Sequence, residues 1–409
     1  MTRHVTSPAL ARVERGQLCT GCGLCAAIAP AAITMSMVDP GYLRPQQSAA
    51  LTAAQDAEIA ATCPGLVIDE SDQPPAPFVD PLWGPVHYVG TGHANDAALR
   101  HQASSGGVIS ALLMHALSTG LVDYVVQTGA DPDLPTGNQT HISKSDGDIL
   151  AAAGSRYTAS APLAGLEDWL ARPGRFAFVG KPCDVSALRA RARHDPRINA
   201  RVPVVLAFFC AGIPSTAGTR RILDRLGVDP DDVTAFRYRG DGWPGFAKAT
   251  LKDGSIRQMS YADSWGDILS KEVQFRCKIC PDATGNVADV ACADAWEGNE
   301  RGYPSFEEQA GRSLVIARTT AGAALLAAAE VAGCIFIQPL ETAAIAAMQP
   351  AQARRKKQIL SRLAALMVTG RPWPRYRGLR LWAAAARDNP VAQARSFAGL
   401  VRRLVQGRA

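Results

Sequence analysis

Cysteines near the start of the chain are spaced like metal ligands. Thiols at positions 19, 22 and 25 form a C-x2-C-x2-C run, and Pro30 follows where iron–sulfur proteins with a C-x2-C-x2-C-x3-C-P run have their proline. Ala29 replaces the fourth cysteine of that run, but a later Cys-Pro pair supplies another thiol. Three closely spaced thiolates can wrap one cubane, with Gly21 and Gly23 permitting the tight turns. The residues expected to bind a [4Fe-4S] cluster, with zinc as the alternative, are Cys19, Cys22, Cys25 and Cys63.

A second group of cysteines is predicted at one edge of a sheet. Cys183 lies shortly after one predicted strand, and Cys210 directly follows the next. A right-handed crossover between parallel strands would bring their carboxyl ends to the same edge, where ligand sites form. Cys277 and Cys280 add a C-x2-C pair followed by proline. The spacing leaves two alternatives open, a second [4Fe-4S] cluster and a zinc ion held by four cysteines.

Two further cysteines have no partner at ligand spacing. Cys292 and Cys334 lie in apolar runs and are expected to be small buried hydrophobic residues. The N-terminus has no apolar segment typical of a secretory signal, so we expect a cytoplasmic protein with reduced thiols.

Several polar, glycine-rich loops have the residue types that bind a flat ring and a diphosphate. One of them, at 104–107, opens into a predicted helix whose free N–H groups could bind a phosphate, although an ordinary helix cap explains it equally well. The candidate cofactor-binding residues are Ser104, Ser105, Gly106, Gly107, Ser155, Arg156, Lys181, Arg239, Asp289 and Trp296. Neither a G-x-G-x-x-G fingerprint after a strand nor a P-loop is present, so an ordinary NAD site and a nucleotide hydrolase lack support.

The elements that position these residues alternate between strand and helix from about residue 86. Nearly continuous apolar strands are predicted at 176–179 and 202–209, and helices at 104–119 and 184–193. Strands that are apolar on both faces and alternate with helices indicate an α/β domain with a mostly parallel or mixed sheet.

The chain divides by composition into five predicted segments. They are a cysteine-punctuated segment (1–71), a Pro-rich linker (72–85), two parts of a cofactor-binding catalytic domain (86–172 and 173–345) and a basic helical tail (346–409). Within the tail, 354–367 is predicted to be one basic amphipathic helix.

The length and composition exclude several classes. A chain of 409 residues with 47% hydrophobic and 20% charged residues can bury a core and is long enough for two or three units. No uncharged apolar run reaches the roughly 18 residues needed to span a bilayer. Fourteen of the 43 basic residues but one of the 37 acids lie in 354–409, so that segment carries +13 and the remainder −7. An acidic body argues against nucleic-acid binding.

Taken together, the loops and cysteines resemble the coenzyme F-420 hydrogenase/dehydrogenase beta-subunit family. The matching stretches, in order along the chain, are CTGCGLC (19–25), SSGGVISALL (104–113), GSRYTAS (154–160), GKPCDVSALR (180–189), FFCAGIPS (208–215), YRGDGWPG (238–245), CKICPDATGNVADVACADAW (277–296) and GRSLVIART (311–319). The resemblance implies FAD and one or two [4Fe-4S] clusters, with the N-terminal segment ferredoxin-like. It also implies electron flow from a ferredoxin-like donor through iron–sulfur and flavin to an organic acceptor.

The resemblance also assigns roles to residues. It implies that Cys183, Cys210, Cys277 and Cys280 bind a cluster, and that the 105–107 turn, Ser155, Lys181 and Asp294 surround the flavin. We expect the candidate proton donors in such a pocket to be Tyr157, His101 and Asp294.

Alternatives from other classes remain. The chain could be an electron-transfer subunit without its own substrate, or a zinc-binding regulatory protein. The acceptor could be coenzyme F-420 or a small unsaturated or oxidised molecule. The basic tail could contact a protein partner or a membrane surface, or be an ordinary solvated helix.

Overall fold

The structure, a computed structural model, describes residues 6–298 and 305–407. Its strands are β1 (Ile33–Val38), β2 (Tyr42–Gln47), β3 (Val67–Asp69), β4 (Phe78–Asp80), β5 (Gly84–Val86), β6 (Tyr88–Ala94), β7 (Tyr124–Ala130), β8 (Asn138–Ser143), β9 (Phe176–Gly180), β10 (Val204–Phe208), β11 (Val233–Arg237), β12 (Phe246–Leu251), β13 (Ile256–Ser260), β14 (Val290–Asp294), β15 (Ser313–Ala317), β16 (Ile335–Pro339) and β17 (Arg375–Arg377). Its helices are α1 (Pro8–Arg15), α2 (Leu24–Ile28), α3 (Ala53–Thr62), α4 (Ala97–Gln102), α5 (Val108–Ser118), α6 (Asp146–Ala151), α7 (Leu166–Ala171), α8 (Pro182–Ala192), α9 (Pro196–Arg201), α10 (Thr216–Leu226), α11 (Phe275–Lys278), α12 (Thr320–Val331), α13 (Ile345–Met348), α14 (Pro350–Lys357), α15 (Ile359–Val368), α16 (Leu381–Ala385) and α17 (Pro390–Val405).

An eight-stranded mixed sheet forms the centre of the molecule, in the order β16-β6-β15-β14-β10-β9-β7-β8. Strands β14, β10, β9 and β7 run parallel, and the outer strands pair antiparallel. The expected mixed α/β sheet is therefore confirmed. Strand β6 lies between β15 and β16, so the 86–172 and 173–345 parts build one sheet.

Helices cover both faces of this sheet, which explains why its inner strands are apolar on both sides. Ala177 and Val179 of β9 pack in the core beneath α5 and α12, whereas Phe176 and Phe178 point to the core beneath α7, α8 and α9. The period-two alternation divides one short strand between two hydrophobic cores.

Smaller elements flank the large sheet. Strands β11, β12 and β13 form an antiparallel sheet that packs with α10 around Tyr238. Within the segment predicted to be a Pro-rich linker, β4 and β5 pair as a short hairpin, and Trp83 between them is buried. Part of that segment is therefore packed rather than extended.

The N-terminal and C-terminal segments share one hydrophobic core. Leu10 and Ile59 of the N-terminal segment pack in the same cluster as Leu366 and Leu400 near the end of the chain. Strand β17 also pairs with β3, which follows α3. The single helix predicted over 354–367 is wrong, because α14 and α15 are separate helices that meet at Gln358.

In the part of the chain that the structure describes, helices are too short or too polar to cross a lipid bilayer.

Candidate functional site

The four N-terminal cysteines meet at one pocket. Three lie on the loop that enters α2 and on α2 itself, and Cys63 follows the last residue of α3. All four line a pocket of about 380 Å³, its open mouth included. Gly23 has a φ of 87°, and a Cβ there would lie 2.8 Å from the backbone nitrogen of Ala164, so this loop can turn only at glycine.

Burial makes this pocket unfavourable for free thiolates. It raises the pKa of Cys19, Cys22 and Cys25, and it raises the pKa of Cys63 to about 11. A buried thiol stays neutral unless a metal or a nearby cation stabilises its anion. Charges that favour the Cys19 thiolate come from the Arg44 and Arg276 guanidiniums.

The second four cysteines also lie near one another. Cys183 is in the first turn of α8, after β9, and Cys210 follows β10, which is parallel and adjacent to β9. Cys277 lies in α11, and Cys280 follows three residues later, just after that helix. Each of the four interacts electrostatically with at least one other member. Burial raises the pKa of Cys183 and Cys280, and it raises that of Cys210 to about 12.

A buried cation lies between the two cysteine groups. The guanidinium of Arg276 interacts with Cys63 of the first group and with Cys183 and Cys280 of the second. It donates from Nη2 to the carbonyl oxygen of Pro64 at 2.6 Å, and it lies 5.6 Å from the ring centroid of Tyr376. Sequence reasoning missed this residue, whose only local signal was its place directly before Cys277.

A cleft of about 1500 Å³, including its open mouth, lies beside the second cysteine group. It forms beyond the carboxyl ends of β9, β10 and β14, and Cys210 is part of its wall. The predicted residues that the structure brings together around it are Ser104, Ser105, Gly107, Ser155, Arg156, Tyr157, Lys181, Arg239, Asp294 and Trp296. Gly106 lies directly behind this wall, under the start of α5.

Backbone geometry at the start of α5 creates one side of the cleft. Gly107 has a φ of 78° and caps α5 without a side-chain hydrogen bond, so the first N–H groups of the helix stay available. Ser104 and Ser155 share a hydrogen bond of 2.6 Å between their hydroxyl oxygens, which ties two cleft loops together.

Lys181 places a positive charge in the cleft wall near the second cysteine group. Its Nζ lies 2.7 Å from Asp184 Oδ2 and donates to Ser160 Oγ at 2.9 Å. Burial alone would lower the pKa of Lys181, but the Asp184 carboxylate and the thiols of Cys183 and Cys210 raise it. Lys181 therefore stays protonated and can attract an anionic group.

Arg239 and Asp294 form a buried pair at the floor of the cleft. Two parallel hydrogen bonds of 2.8 and 2.6 Å join the guanidinium to the carboxylate, and Trp243 Nε1 donates to Asp294 Oδ1 at 2.7 Å. The guanidinium lies 4.8 Å from the ring centroid of Tyr261 and 4.9 Å from that of Trp296. This arrangement makes Asp294 an ion-pair partner rather than a free acid.

Tyr157 lines the cleft next to two other aromatic side chains. Its ring lies 4.7 Å from that of Trp265, and its phenol interacts electrostatically with that of Tyr261. Burial raises the pKa of Tyr261 well above the usual tyrosine range, so its phenol stays protonated at neutral pH.

Three of the predicted site residues do not present a free polar group to the cleft. His101 is exposed on α4 and lies outside the cleft lining. Asp289 lies behind the sheet, where it pairs with Arg189 at 3.0 Å and accepts from the backbone nitrogen of Val205 at 2.8 Å. Arg156 lines the cleft, but its guanidinium donates to carbonyl oxygens of neighbouring loops and so holds those loops in place.

The two unpaired cysteines lie apart from both groups. Cys292 is buried on β14, and Cys334 is partly buried with its sulfur 3.8 Å from Nδ1 of His115.

A mixed α/β sheet with a large cleft at the carboxyl ends of its parallel strands defines a ligand-binding α/β protein. Family models identify which one. The beta subunit N-terminal model of coenzyme F420 hydrogenase/dehydrogenase matches residues 89–167, and its C-terminal counterpart matches residues 174–343. The chain belongs to the coenzyme F420 hydrogenase/dehydrogenase beta-subunit family, which confirms the resemblance inferred from the loops and cysteines.

Three relatives are about a quarter identical to this chain over the residues that align. The F420-dependent formate dehydrogenase 1 subunit beta of Methanococcus maripaludis is 26% identical over 236 residues, which cover 56% of this chain and 58% of the relative. The coenzyme F420 hydrogenase subunit beta of Methanococcus voltae is 26% identical over 48% of this chain and 69% of its own. The chloroplastic 7-hydroxymethyl chlorophyll a reductase of Oryza sativa is 25% identical over 45% of this chain and 38% of its own.

A solved structure has the same fold. A chain of the F420-reducing [NiFe] hydrogenase complex from Methanosarcina barkeri superposes with a TM-score of 0.52 at 21% identity, covering 68% of this chain and 95% of that chain. The match to the Methanococcus maripaludis formate dehydrogenase subunit spans little more than half of that relative's length.

Proposed function

We propose that this chain is an FAD- and iron–sulfur-dependent oxidoreductase that links a one-electron donor to an organic acceptor. The observation that carries the proposal is one continuous arrangement: a four-cysteine group, the buried Arg276, a second four-cysteine group, and a large cleft that shares Cys210 with that group. Iron–sulfur clusters exchange single electrons and a flavin exchanges one or two, so the two cofactors together connect these modes.

We assign iron–sulfur clusters rather than zinc to the two cysteine groups. A zinc ion would hold its four thiolates about 2.3 Å away. In a cubane each thiolate binds a different iron, so its ligands stand farther apart. The buried Arg276 adds a charge that favours thiolates on both sides.

The cleft fits a flavin dinucleotide in size and in polarity. Lys181 and the available N–H groups of α5 are groups that bind a diphosphate, and Tyr261 and Trp296 contribute aromatic surface to the cleft wall. We assign Lys181 to binding and orienting an anionic group, and Arg239 with Asp294 to fixing the aromatic wall. Tyr157 is the proposed proton donor, in preference to His101 and Asp294.

The acceptor proposed first is coenzyme F420, because the named relatives in the hydrogenase and formate dehydrogenase groups carry it in their names. A small unsaturated or oxidised molecule is the second choice, in line with the chlorophyll a reductase. The other candidate function is an electron-transfer subunit of a larger complex, which is favoured by the names of relatives that are subunits.

Anaerobic purification with iron, sulfide and flavin analysis tests the proposal. We expect about eight iron atoms and one FAD per chain, together with broad visible absorbance. Reduction of F420 or of another acceptor by the isolated chain supports the enzyme, whereas activity only with an added partner supports the subunit. A colourless protein that contains zinc and lacks flavin would overturn both.

Tyrosine 157 provides a second, narrower test. Tyr157→Phe should lower kcat for the acceptor while iron and FAD content stay at the wild-type level, since the ring packing with Trp265 is kept. Unchanged turnover in this variant would remove Tyr157 from the proposed mechanism.

A further inference from the structure

A basic patch lies over the loop of the second cysteine group. We define the patch as Lys278, Arg354, Arg355, Arg362 and Arg403. Burial and the neighbouring charges of Arg355, Arg403 and Arg354 lower the pKa of Arg362 to about 10. Cations of this patch therefore repel one another, although they come from parts of the chain that are far apart in sequence.

No carboxylate among the described residues pairs with this patch. The ion pairs of residues 6–298 and 305–407 include none of its five members. The acid that acts on Lys278 is Glu272, and Glu272 is already bonded to Arg221 and to the hydroxyl of Ser215. Elsewhere in the C-terminal segment, arginines do find acids, as Arg387 does with Asp80 at 3.1 Å. The patch therefore carries positive charge that no ion pair compensates, unlike the arginines of the same segment that pair with acids.

The patch is fixed to the cysteine loops by hydrogen bonds. Lys278 lies between Cys277 and Cys280, and Arg362 donates from Nη1 to the carbonyl oxygen of Lys278. Arg355 donates to the carbonyl oxygens of Cys210 and Ala211 at 3.3 and 2.8 Å. Arg354 and Arg403 are exposed beside them. The charged surface therefore lies directly over the loops that carry Cys210, Cys277 and Cys280.

We propose that the basic patch docks an acidic electron-carrier protein, which delivers electrons next to the second cysteine group. This proposal rests on the proposed redox function and adds the place and the chemistry of the partner. Complementary charge steers two proteins together and fixes their orientation, and short distance is what electron transfer requires. A membrane would instead engage the basic residues of the whole segment, because anionic lipid attracts every cation near its surface.

Charge reversal on the patch tests the docking. The variant Arg354→Glu/Arg403→Glu changes two exposed arginines that lie outside the cleft and outside both cysteine groups. The matched control is Arg225→Glu/Arg257→Glu, which changes the net charge equally on α10 and β13. Binding is followed by fluorescence anisotropy of a labelled, oxidised acidic [2Fe–2S] ferredoxin at low and high salt. Reduction of the protein is followed in parallel by stopped-flow absorbance, with reduced ferredoxin and with a small neutral mediator.

We expect roughly tenfold weaker binding or more in the patch variant at low salt, and a flatter salt dependence. The control variant should bind like wild type, and reduction by the mediator should be the same in all three proteins. Equal loss of binding in both variants, or no loss in either, overturns the docking proposal. The outcome that favours a membrane surface has two parts. The wild-type protein binds vesicles made of equal parts phosphatidylglycerol and phosphatidylcholine, and the patch variant binds ferredoxin as well as wild type does. This outcome overturns the docking proposal. If the purified chain contains neither iron nor flavin but still binds ferredoxin in a salt-sensitive way, the docking surface is supported and the redox function is overturned.

Discussion

Substituting Gly106 by alanine perturbs the cleft through a purely steric effect. A Cβ at this position would lie 2.6 Å from the carbonyl oxygen of Gly92 and 2.6 Å from the backbone nitrogen of Ser313. Those two residues are register partners in β6 and β15, in the middle of the large sheet, so neither can shift without breaking the ladder. The φ of Gly106 is not positive, so alanine meets no conformational penalty of its own. Overpacking of this kind costs about 1–3 kcal/mol.

The displaced group would be the start of α5, because Gly106 accepts from the backbone nitrogen of Ala94 and donates to Ser313 Oγ at 3.0 Å. We therefore expect Gly106→Ala to lower the midpoint of urea unfolding and to lose FAD more readily on dialysis. The matched control is Gly147→Ala in α6, where the nearest atom to a Cβ is Ser145 Oγ at 3.7 Å and a gain of up to about 1 kcal/mol is expected. A Gly106→Ala protein with the wild-type unfolding midpoint and wild-type FAD content would refute this reasoning.

Three other changes give separate tests. Asp294→Asn leaves a buried guanidinium unpaired and should lower the free energy of unfolding in urea by about 3–5 kcal/mol. The control Glu297→Gln changes an exposed ion pair and should lower it by less than about 1 kcal/mol. Equal losses in the two variants would contradict the role given to the buried pair. Burial raises the pKa of Glu70 from 4.5 to about 8, so its contribution to stability is complete below pH 4.5 and is lost as pH rises through 8. Glu70→Gln should flatten that decline between about pH 5 and pH 9, and an unchanged pH profile of the unfolding midpoint would count against it. Cys63→Ser should lower iron content by about half while Cys334→Ser retains it, and equal iron in the two variants would exclude Cys63 as a ligand.

Much of the fold could be predicted because its strongest signals are local. The strands around 176–179 and 202–209 are short apolar runs between helices, and β9 and β10 lie there. The mixed sheet followed from that alternation. The break between α14 and α15 could not be predicted, because the basic and apolar residues on either side of Gln358 fit one helical period. In the folded chain α15 packs against both α16 and α17, contacts that no local pattern reveals.

The cleft was predicted more completely than the charges around it. Glycine-rich and serine-rich loops are visible in sequence because their residue types are unusual, and most of the cofactor-binding candidates do line the cleft. Arg276 and Asp184 were missed because an arginine or aspartate near a cysteine is ordinary in sequence. Their roles come from contacts that cross the chain, such as that between Arg276 and Pro64. His101 shows the converse, since a residue six positions before the cleft-lining Gly107 can still face solvent.

The uneven charge of the chain acts at the cysteine groups. Thiols bind metal only as thiolates, and burial opposes that ionisation in both groups. The segment 354–409 carries +13 while the rest of the chain carries −7, yet both parts place cations near the thiols. Arg355 of this segment favours the thiolate of Cys210, and the buried Arg276 does the same for Cys63 and Cys280. A basic tail that also donates hydrogen bonds to the Cys210 loop would therefore help the second group to hold the proposed cluster, although it supplies no cysteine.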